Sequence, residues 1–460
     1  MADGLLALLL HAHLPFVRHP EHEVALEEDW LFEALTETYL PLLDIFDRLD
    51  GEQVPCRLTV TLSPTLIEML NDPLLRERYE RSLERLIELA EKEVGRTGTD
   101  PAVGPLARMY LDRFTAARAW WLPECGYQPG IEALLAGAGV KYFFLDAHGL
   151  LHGDPRPRRG VFAPAVTPEG VAVFGRDMES SRQVWSAKVG YPGDPDYRDF
   201  YRDIGFDLPM DYIGPYVQPT GHRKMTGIKY HRVTGGADDK DVYDRGAAMA
   251  RVRAHAADFL LRRAEQTARV APLIDRPPLI VSPYDAELFG HWWFEGPEFL
   301  EAVIRSAAWD GVELVTPRDY LNRFPDNQEL RPAASTWGLR GYSEMWLDES
   351  NDWIYRHLHK AAERMTELAR AHPRAQGVTL RALNQAAREL MLAQSSDWAF
   401  IMKSGSMTAY AQRRVKESLL EFTRLFEEIA AGRIDERALA RLEARDNLFA
   451  ADVDYRDYLP

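Results

Sequence analysis

The sequence predicts an α/β protein whose strands form a parallel sheet or barrel, followed by a helical C-terminal domain. Short apolar runs alternate with amphipathic helical stretches through the first two thirds of the 460-residue chain. This βαβα rhythm favours parallel strands joined by helices. After about Pro325 the pattern contains helices only. We therefore expect an α/β domain over residues 1–325 and a helical domain over residues 326–460.

The predicted strands are apolar runs of four to six residues, at Leu5–Leu10, Leu58–Leu62, Ala119–Leu122, Val140–Leu145, Val171–Phe174, Pro278–Ser282 and Glu313–Thr316. The predicted helices have apolar residues at i, i+3 and i+4. They are Trp30–Leu49, Leu75–Val94, Tyr243–Val270, Pro297–Ala308, Asp352–His372, Thr379–Leu392, Thr408–Ala431 and Asp435–Arg445. The stretch 155–236 has little periodicity and is too long for a simple connection, which predicts an insertion at about residues 150–240.

Composition and charge exclude several classes of function. The chain has 71 acidic against 55 basic residues, a formal charge of −16 that opposes binding to nucleic acid or an anionic membrane. Its two cysteines, Cys56 and Cys125, are too few for a disulfide framework or a cysteine-based zinc site and indicate a reducing cytoplasm. No apolar stretch approaches the length of a membrane-spanning helix. Leu5–Leu10 lacks the basic residues that precede a signal peptide core, so we interpret it as a buried strand.

Polar motifs follow three of the predicted strands, where α/β barrels and sheets place their functional groups. His11 and His13 follow the first strand, and alternation sends both imidazoles to the same side. Glu124 follows the third strand within Trp121–Tyr127, where a strand-end carboxylate among aromatic residues is more plausibly functional than structural. The third motif, Ser282–Trp293, contains an Asp, a Glu and a His among four aromatic residues.

Two carboxylates on different strands, facing a cleft with aromatic residues, are what cleavage of a glycosidic bond requires. One carboxylate attacks the anomeric carbon, and the other protonates the leaving oxygen. Aromatic rings can stack on sugar faces, although we expect at least half of the candidates to be packing residues. The candidate sugar platforms are Trp121, Tyr127, Trp185, Tyr191, Trp292, Trp293, Trp337 and Trp346.

A metal-dependent amidohydrolase barrel is the competing interpretation. A His-x-His after the first strand and an Asp after a late strand fit that class as well. It would need further metal ligands at the intermediate strands, where His148 follows Val140–Leu145 but Glu124 follows Ala119–Leu122. We rank this hypothesis below glycosyl chemistry, which needs no metal or organic cofactor.

The motifs together resemble glycoside hydrolase family 57, most closely its 1,4-α-glucan branching enzymes, along almost the whole chain. The motifs that carry the resemblance are His11–Pro15, Trp121–Tyr127, Gln183–Ser186, Gly190–Asp194, Tyr284–Trp293, Ser335–Gly338, Glu344–Trp346 and Ser396–Trp398. Long ordered motifs of this kind are specific, unlike a lone short pattern. The resemblance implies an incomplete (β/α)7-type barrel with an insertion subdomain and a C-terminal α-helical domain.

The resemblance also implies a retaining mechanism, with Glu124 as nucleophile and Asp285 as general acid/base. The implied partner is an α-1,4-glucan, and the implied chemistry is transfer of a glycosyl chain to a 6-hydroxyl in glycogen-type metabolism. The implied substrate-binding residues are His11, His13, Trp185, Tyr191, His291, Trp292, Trp337, Trp346 and Asp397. The sequence leaves the oligomeric state open.

Two departures from the family pattern keep alternatives open. Family members usually carry several dozen more residues, including a strand that ends in a histidine, between the second strand and the nucleophile strand. Here one helix leads directly from Arg108 into Arg118, which predicts a barrel short of a strand and keeps a glucan-binding protein without activity among the alternatives. The branching enzymes also tend to have a covering tyrosine that is absent between Gly149 and Gly160. Its absence favours an α-amylase-like hydrolase, because a covering loop shields the glycosyl-enzyme from water.

Overall fold

The fold is given by a computed structural model that describes residues 4–116, 136, 139–186, 188–217, 221–234, 240–307 and 311–459. The chain divides into two compact units. Unit 1 comprises Met1–Leu14 and Leu26–Trp337, and unit 2 comprises Pro15–Ala25 and Gly338–Pro460. A short segment that follows the first strand therefore belongs to the same unit as the C-terminal helices.

Unit 1 contains the strands of the described chain. They are β1 (Gly4–Ala12), β2 (Leu58–Leu62), β3 (Tyr142–Leu145), β4 (Ala165–Val166), β5 (Ala172–Gly175), β6 (Leu279–Asp285), β7 (Val312–Leu314) and β8 (Gln328–Glu329). Its helices are α1 (Asp29–Ala34), α2 (Leu40–Gly51), α3 (Pro64–Asn71), α4 (Pro73–Thr97), α5 (Gly104–Ala116), α6 (Ala147–Leu151), α7 (Met178–Trp185), α8 (Ile204–Asp207), α9 (Met210–Ile213), α10 (Arg245–Val270), α11 (Gly296–Ala307) and α12 (Pro317–Arg323). A π-helical turn, Leu35–Tyr39, separates α1 from α2.

Strand β1 is the centre of the first sheet. It pairs in parallel with β2, β6 and β7, and all nine of its residues are buried. Burial on both faces is typical of a parallel sheet covered on both sides, and it explains why the run is apolar rather than alternating. Leu5, Ala7 and Leu9 share one face, which packs into a core with residues of β3, β5 and β6. By the same alternation, His11 continues this face at the carboxyl end of the strand.

The second sheet has the order β3-β5-β4-β8. Strands β3 and β5 are parallel, and their side chains contribute Phe144 and Phe174 to the core that β1 also lines. Strand β4 is antiparallel to β5 and parallel to β8. The two sheets therefore share one apolar core, which places the carboxyl ends of β1, β3, β5 and β6 in the same part of unit 1.

Unit 2 is helical. Its helices are α13 (Trp353–Ala371), α14 (Gly377–Ala393), α15 (Ser396–Ser404), α16 (Thr408–Ala430) and α17 (Glu436–Arg445). Their core is formed by small and aliphatic residues of α13 and α14, such as Ala369, Leu383 and Leu390, packed against Phe422 of α16 and Leu439 of α17. Among the described residues, no helix is long and apolar enough to span a membrane.

The predicted α/β fold with a helical C-terminal region is confirmed. Each predicted strand among the described residues is present, with ends that differ from the prediction by at most three residues. The predicted strand Ala119–Leu122 lies outside the described residues. The expectation of helices only after Pro325 is wrong in one respect, because Gln328–Glu329 pairs with β4. A strand of two residues is too short to produce a recognisable apolar pattern.

Candidate active site

The carboxyl ends of β1, β2 and β6 bring three polar side chains together. In the parallel ladders His11 is in register with Thr61 on one side and with Asp285 on the other. Residues in register on parallel strands point to the same face of the sheet. His11 Nδ1 lies 2.8 Å from Thr61 Oγ1, so this hydrogen bond fixes the ring orientation. The imidazole and the carboxylate predicted from separate motifs are thus neighbours across one pair of strands.

His11 is fully buried at the end of its strand. Its ring meets the Trp337 ring edge-on, with the centroids 5.2 Å apart. Burial, with His13 adding to it, lowers the pKa of His11 to about 2. The imidazole is therefore neutral at ordinary pH, and it offers hydrogen bonds without adding charge to the site.

Trp337 also contacts a residue that follows β5. The Arg176 guanidinium, directly after β5, lies 5.3 Å from the Trp337 ring centroid. Arg176 Nε donates to Ser181 Oγ at 2.8 Å, and Arg176 Nη1 lies 3.4 Å from Asp146 Oδ2 after β3. The Trp337 indole therefore lies beside residues from the ends of β1 and β5, and Asp146 after β3 contacts the guanidinium.

Glu287 is a third carboxyl group at this end of the sheet, and sequence reasoning assigned it no role. It lies two residues after Asp285, accepts the Tyr39 hydroxyl at 2.5 Å and accepts the backbone N–H of His13 at 3.1 Å. Burial raises the pKa of Glu287 to about 7, while the Tyr39 hydrogen bond acts in the opposite direction. The side chain thus joins the end of β1, the π-helical turn and the loop after β6.

The π-helical turn also fixes His291. Glu37 Oε2 lies 2.6 Å from His291 Nδ1, and Thr38 Oγ1 accepts the backbone N–H of His291 at 3.2 Å. Burial would raise the pKa of Glu37, but His291, Lys229 and Arg198 outweigh it and hold the pKa at about 2. A charged Glu37 therefore orients His291. The sequence offered no sign of this turn, because the apolar spacing predicted one continuous helix over Trp30–Leu49.

The loop after β6 lies directly on the backbone of this turn. Gly290 has a φ of +118°, and a Cβ at this position would lie 1.9 Å from the carbonyl oxygen of Glu37. Only glycine permits so close an approach of two backbones at this φ. Close packing at Gly290 is therefore what allows His291 to reach Glu37.

The predicted sugar platforms differ in their surroundings. Trp185, at the end of α7, is 49% exposed, and Trp292 is 54% exposed. Tyr191 is buried instead, since its ring stacks on His255 with centroids 4.6 Å apart and its hydroxyl donates to Asp258 at 2.7 Å. Trp293 is also buried. Tyr191 and Trp293 are thus packed among neighbouring side chains, while Trp185 and Trp292 keep exposed ring surface, and a sugar-binding role for each of them stays a prediction.

Trp346 and Asp397 lie in unit 2. The Trp346 ring packs close to Gly338, where a Cβ would lie 2.9 Å from the indole. Asp397, in the first turn of α15, accepts the Ser395 hydroxyl at 2.6 Å. Both side chains are partly exposed and locally ordered by these contacts.

Glu124, with Trp121 and Tyr127, lies outside the described residues. The structure therefore gives no distance between the Glu124 and Asp285 carboxyl groups, and the role of Glu124 stays a prediction. Within the ranges that the structure describes, no group of three or more His, Cys, Asp or Glu side chains is arranged to hold a metal ion.

Comparison with known families identifies the chain. The model of glycosyl hydrolase family 57 matches residues 7–115 and 106–332, and a model of the 1,4-alpha-glucan branching enzyme C-terminal region matches residues 357–458. The chain belongs to glycoside hydrolase family 57. The family 57 match breaks within α5, where the sequence predicts that a segment of the family pattern is missing.

Solved structures of similar proteins share this fold. An α-amylase from Thermotoga maritima is 40% identical, with a TM-score of 0.91 and 99% coverage of both chains. A branching enzyme from Pyrococcus horikoshii is 28% identical, with a TM-score of 0.87, over 100% of this chain and 97% of its own. A 1,4-alpha-glucan branching enzyme of Thermococcus kodakarensis is 28% identical over 97% of this chain and 77% of its own. That alignment spans 550 positions against 460 residues here, so the Thermococcus enzyme has residues without a counterpart in this chain.

Proposed function

We propose that this family 57 protein is a 1,4-α-glucan branching enzyme that cleaves an α-1,4 bond and transfers the released chain to a 6-hydroxyl of an α-glucan. The observation that carries the proposal is the branching enzyme C-terminal region at residues 357–458, joined to a family 57 unit whose strand ends gather His11, Asp285 and Trp337. The two cysteines support a reducing compartment, and we place the enzyme in cytoplasmic glycogen-type metabolism.

In this proposal Glu124 is the nucleophile and Asp285 is the general acid/base. Asp285 protonates the leaving oxygen while Glu124 forms a glycosyl ester, and Asp285 then removes the proton from the incoming hydroxyl. The neutral His11 beside Asp285 can hydrogen-bond to a sugar hydroxyl without drawing charge from the carboxylate. Trp337 offers an apolar surface to the same sugar.

The same proposal includes the finer architecture. We regard the two sheets as parts of one incomplete (β/α)7-type barrel. The shared core beneath β1, β3, β5 and β6 supports this interpretation. The proposed domains are a catalytic domain over residues 1–325, with its insertion at about 150–240, and a helical domain over residues 326–460.

A structure with bound maltooligosaccharide tests the mechanism. Retention leaves no room for a water molecule between the nucleophile and the anomeric carbon, so the carboxyl groups of Glu124 and Asp285 should lie about 5 to 5.5 Å apart. A separation of roughly 9 Å would indicate inversion or a collapsed site.

The activity is tested with amylose as the substrate. Purified enzyme should lower the iodine staining of amylose with little rise in reducing ends, because transfer leaves the number of reducing ends unchanged. Glu124→Gln should abolish turnover and keep glucan binding, since the amide preserves the shape but cannot form the ester. Asp285→Asn should be severely impaired, because an amide cannot exchange the proton. Near wild-type activity in either variant would remove that residue from its role.

An α-amylase-type hydrolase is the second candidate, favoured by the 40% identity to the Thermotoga α-amylase and by the absence of a tyrosine between Gly149 and Gly160. Both reactions use the same glycosyl-enzyme, and they differ in whether water or a sugar hydroxyl reaches it first. We expect measurable hydrolysis beside transfer. Trp185→Ala should shift products from α-1,6 branches towards reducing ends, provided that exposed Trp185 holds the acceptor. A constant product ratio with a lower total rate would assign Trp185 to donor binding or packing.

A further inference from the structure

Helix α7 has one buried face and one face that is open to a cavity. Ser180, Ser181 and Val184 are buried on the first face. Ser282 Oγ donates to Ser180 Oγ at 2.7 Å, and the Tyr284 hydroxyl donates to the Ser180 carbonyl oxygen at 3.2 Å, so this face lies against β6. Because successive residues turn by about 100° around a helix, the remaining residues of α7 face the other way. The described residues that line the cavity are Met178, Glu179, Arg182 and Gln183 of α7, with Val189 and Arg262.

The cavity has the size and the walls of a small-molecule site. Its volume is about 700 Å³, within the range of roughly 300–1,000 Å³ that is usual for ligand pockets. Met178 and Val189 contribute apolar surface and are 51% and 74% exposed. Ligand pockets combine such apolar surface with a few polar groups that fix the orientation of the ligand. The polar groups of this cavity therefore indicate what it binds.

Arg182 and Arg262 bring positive charge to the cavity. The Arg182 guanidinium makes no hydrogen bond or ion pair with any residue that the structure describes. Arg262 forms an ion pair from its Nε to Asp258 Oδ1 at 3.4 Å, and this pair leaves its other N–H groups for a ligand. A guanidinium presents five N–H donors in a planar fork that matches the oxygens of a phosphate group. Both side chains therefore offer donors to an anionic ligand.

Glu179, the acidic residue among the described lining residues, does not cancel this charge. Its Oε1 accepts from Arg263 at 2.9 Å, and its Oε2 accepts from Arg269 at 3.1 Å. Two guanidinium groups thus share one carboxylate on this wall. The chain as a whole has a formal charge of −16, so an excess of positive charge at one cavity stands against the charge of the molecule. This local charge favours an anionic ligand.

Gln183 adds a hydrogen-bond acceptor to the wall of the cavity. Its Oε1 is buried and has no hydrogen-bond partner among the described residues. Buried amide oxygens normally accept a hydrogen bond. The oxygens of an ionised phosphate are acceptors and cannot supply it, whereas a hydroxyl group can. The ligand that satisfies both arginines and Gln183 therefore has an anionic group and at least one hydroxyl group.

We propose that this cavity binds the phosphate monoester of a glucose unit, with the phosphate on Arg182 and Arg262 and a sugar hydroxyl on Gln183 Oε1. Met178 and Val189 then contact the apolar C–H groups of the sugar. Free hexose phosphates and phosphorylated glucans share this chemistry. The inference goes beyond the proposed function and does not depend on it.

Thermal unfolding and titration calorimetry of the wild-type protein test the site. Glucose 6-phosphate and glucose 1-phosphate should raise the Tm in a dose-dependent way, since a ligand that binds only the folded state stabilises it. Glucose and inorganic phosphate each make only part of the proposed contacts. Both should therefore bind at least about 10-fold more weakly than the hexose phosphates.

Two variants separate the phosphate contact from the sugar contact. Arg182→Ala should raise the Kd for glucose 6-phosphate about 10-fold or more, because it removes hydrogen bonds between two charged groups. Gln183→Leu should raise the Kd for glucose 6-phosphate and leave the Kd for inorganic phosphate unchanged, since only the sugar contacts the amide oxygen. Arg253→Ala is the matched control, because Arg253 is an exposed arginine of α10 outside the cavity lining, and its Kd should stay within twofold of wild type.

A phosphorylated maltodextrin distinguishes the two sources of the ligand. If it binds, if Arg182→Ala weakens it and if the free hexose phosphates do not bind, the site stands and belongs to a phosphorylated glucan. No binding of any of these phosphate monoesters at millimolar concentration would overturn the proposal. Equal affinity for inorganic phosphate and glucose 6-phosphate would also overturn it, because the sugar would then make no contact.

Maltoheptaose tests the competing ligand class. Binding of maltoheptaose that Arg182→Ala weakens, without binding of any phosphate monoester, would make the cavity a site for neutral glucan and overturn the proposal. Each of these binding results is independent of the amylose assay, which decides the proposed function separately.

Discussion

His11 stays uncharged because it is buried beside a second histidine, and this gives folding a pH dependence of defined sign. An unfolded histidine takes up a proton near pH 6.5, whereas buried His11 does so only near pH 2. Between these values the unfolded chain binds more protons, so stability falls as the pH drops from about 6.5. The slope from this group is at most about 1.4 kcal/mol per pH unit.

The prediction is tested by urea unfolding between pH 4.5 and 7 for wild type and His11→Gln. The variant should lose less stability on acidification than wild type. Thr61→Val is the control, because it removes the hydrogen-bond partner of His11 and keeps the histidine, so the wild-type slope should remain. Parallel curves for wild type and His11→Gln would contradict the assignment of a low pKa to His11.

Tyr39→Phe tests the contribution of Glu287, which changes stability at higher pH than His11 does. Burial raises the pKa of Glu287 to about 7, and the Tyr39 hydroxyl is one of the groups that still favour its charged form. Without that hydroxyl the charged Glu287 carboxylate lacks a hydrogen-bond donor, which should lower the free energy of unfolding by about 1–3 kcal/mol. The folded-state pKa is above that of a free glutamate, so the free energy of unfolding of wild type already falls as the pH rises from about 4.5 to 7. The Tyr39→Phe variant should therefore lose more stability relative to wild type at pH 8 than at pH 5.

Thermal unfolding at both pH values measures the effect. Tyr79→Phe is the matched control, because the Tyr79 hydroxyl is paired with the uncharged Thr36 hydroxyl at 3.2 Å. Its loss should cost about 1 kcal/mol at either pH. An equal loss at pH 5 and pH 8 in Tyr39→Phe would show that the hydroxyl does not stabilise a Glu287 charge.

At the scale of elements, the π-helical turn Leu35–Tyr39 and the loop around Gly290 are fitted to each other. A Cβ at Gly290 would overlap the Glu37 carbonyl at 1.9 Å, and its φ of +118° already disfavours other residues. Gly290→Ala should therefore reduce stability by more than about 3 kcal/mol and abolish activity, because His291 and Glu287 lose their positions. Circular dichroism melting and the amylose assay measure the two effects.

Gly170→Ala separates the cost of a strained backbone conformation from the cost of atomic overlap. Gly170 also has a positive φ, +83°, but a Cβ there meets no other atom within 4 Å. The substitution should cost only the roughly 1–2 kcal/mol of the left-handed backbone and leave activity intact. Similar losses in both variants would mean that contact with Glu37 contributes nothing beyond the backbone conformation.

The same elements show what could be predicted from sequence. Strands β1 and β6 were predicted because their apolar runs are long enough to indicate burial on both faces, and the motifs at their ends gave His11 and Asp285. The π-helical turn was not predicted, because the apolar spacing of Trp30–Leu49 continues through it. It packs against Gly290 and His291, some 250 residues away, and no local pattern reports such a contact. For the same reason the sequence places Glu287 in a motif but does not identify Tyr39 as its hydrogen-bond partner.

At the scale of the whole molecule, Pro15–Ala25 belongs to unit 2 although it follows β1 closely in the chain. Arg18 Nη1 donates to the carbonyl oxygens of Ala444 at 2.7 Å and Arg445 at 3.1 Å, which are at the C-terminal end of α17. A cation there satisfies carbonyls that have no partner within the helix. No local pattern predicts such a long-range contact, because its two sides are separated by more than 420 residues.

Arg18→Ala should lower the free energy of unfolding by about 1–2 kcal/mol and speed hydrogen exchange in residues 15–25 and in α17, but not in α13. Exchange followed by mass spectrometry measures each segment. Arg81→Ala is the control, because Arg81 makes a surface ion pair with Glu77 at 2.7 Å, and its loss should cost less than about 0.5 kcal/mol. Unchanged exchange in residues 15–25 would show that Arg18 does not anchor this segment.

The position of Pro15–Ala25 also bears on how the protein is made. His19 Nε2 lies 2.8 Å from the Tyr410 hydroxyl, a partner 391 residues further along the chain. At a translation rate of roughly 5–20 residues per second, about 20 to 80 seconds pass between the synthesis of the two. During that interval His19 has no Tyr410 hydroxyl to contact. A nascent chain, or one truncated before α16, is therefore expected to leave residues 15–25 without this contact until the C-terminal helices have left the ribosome.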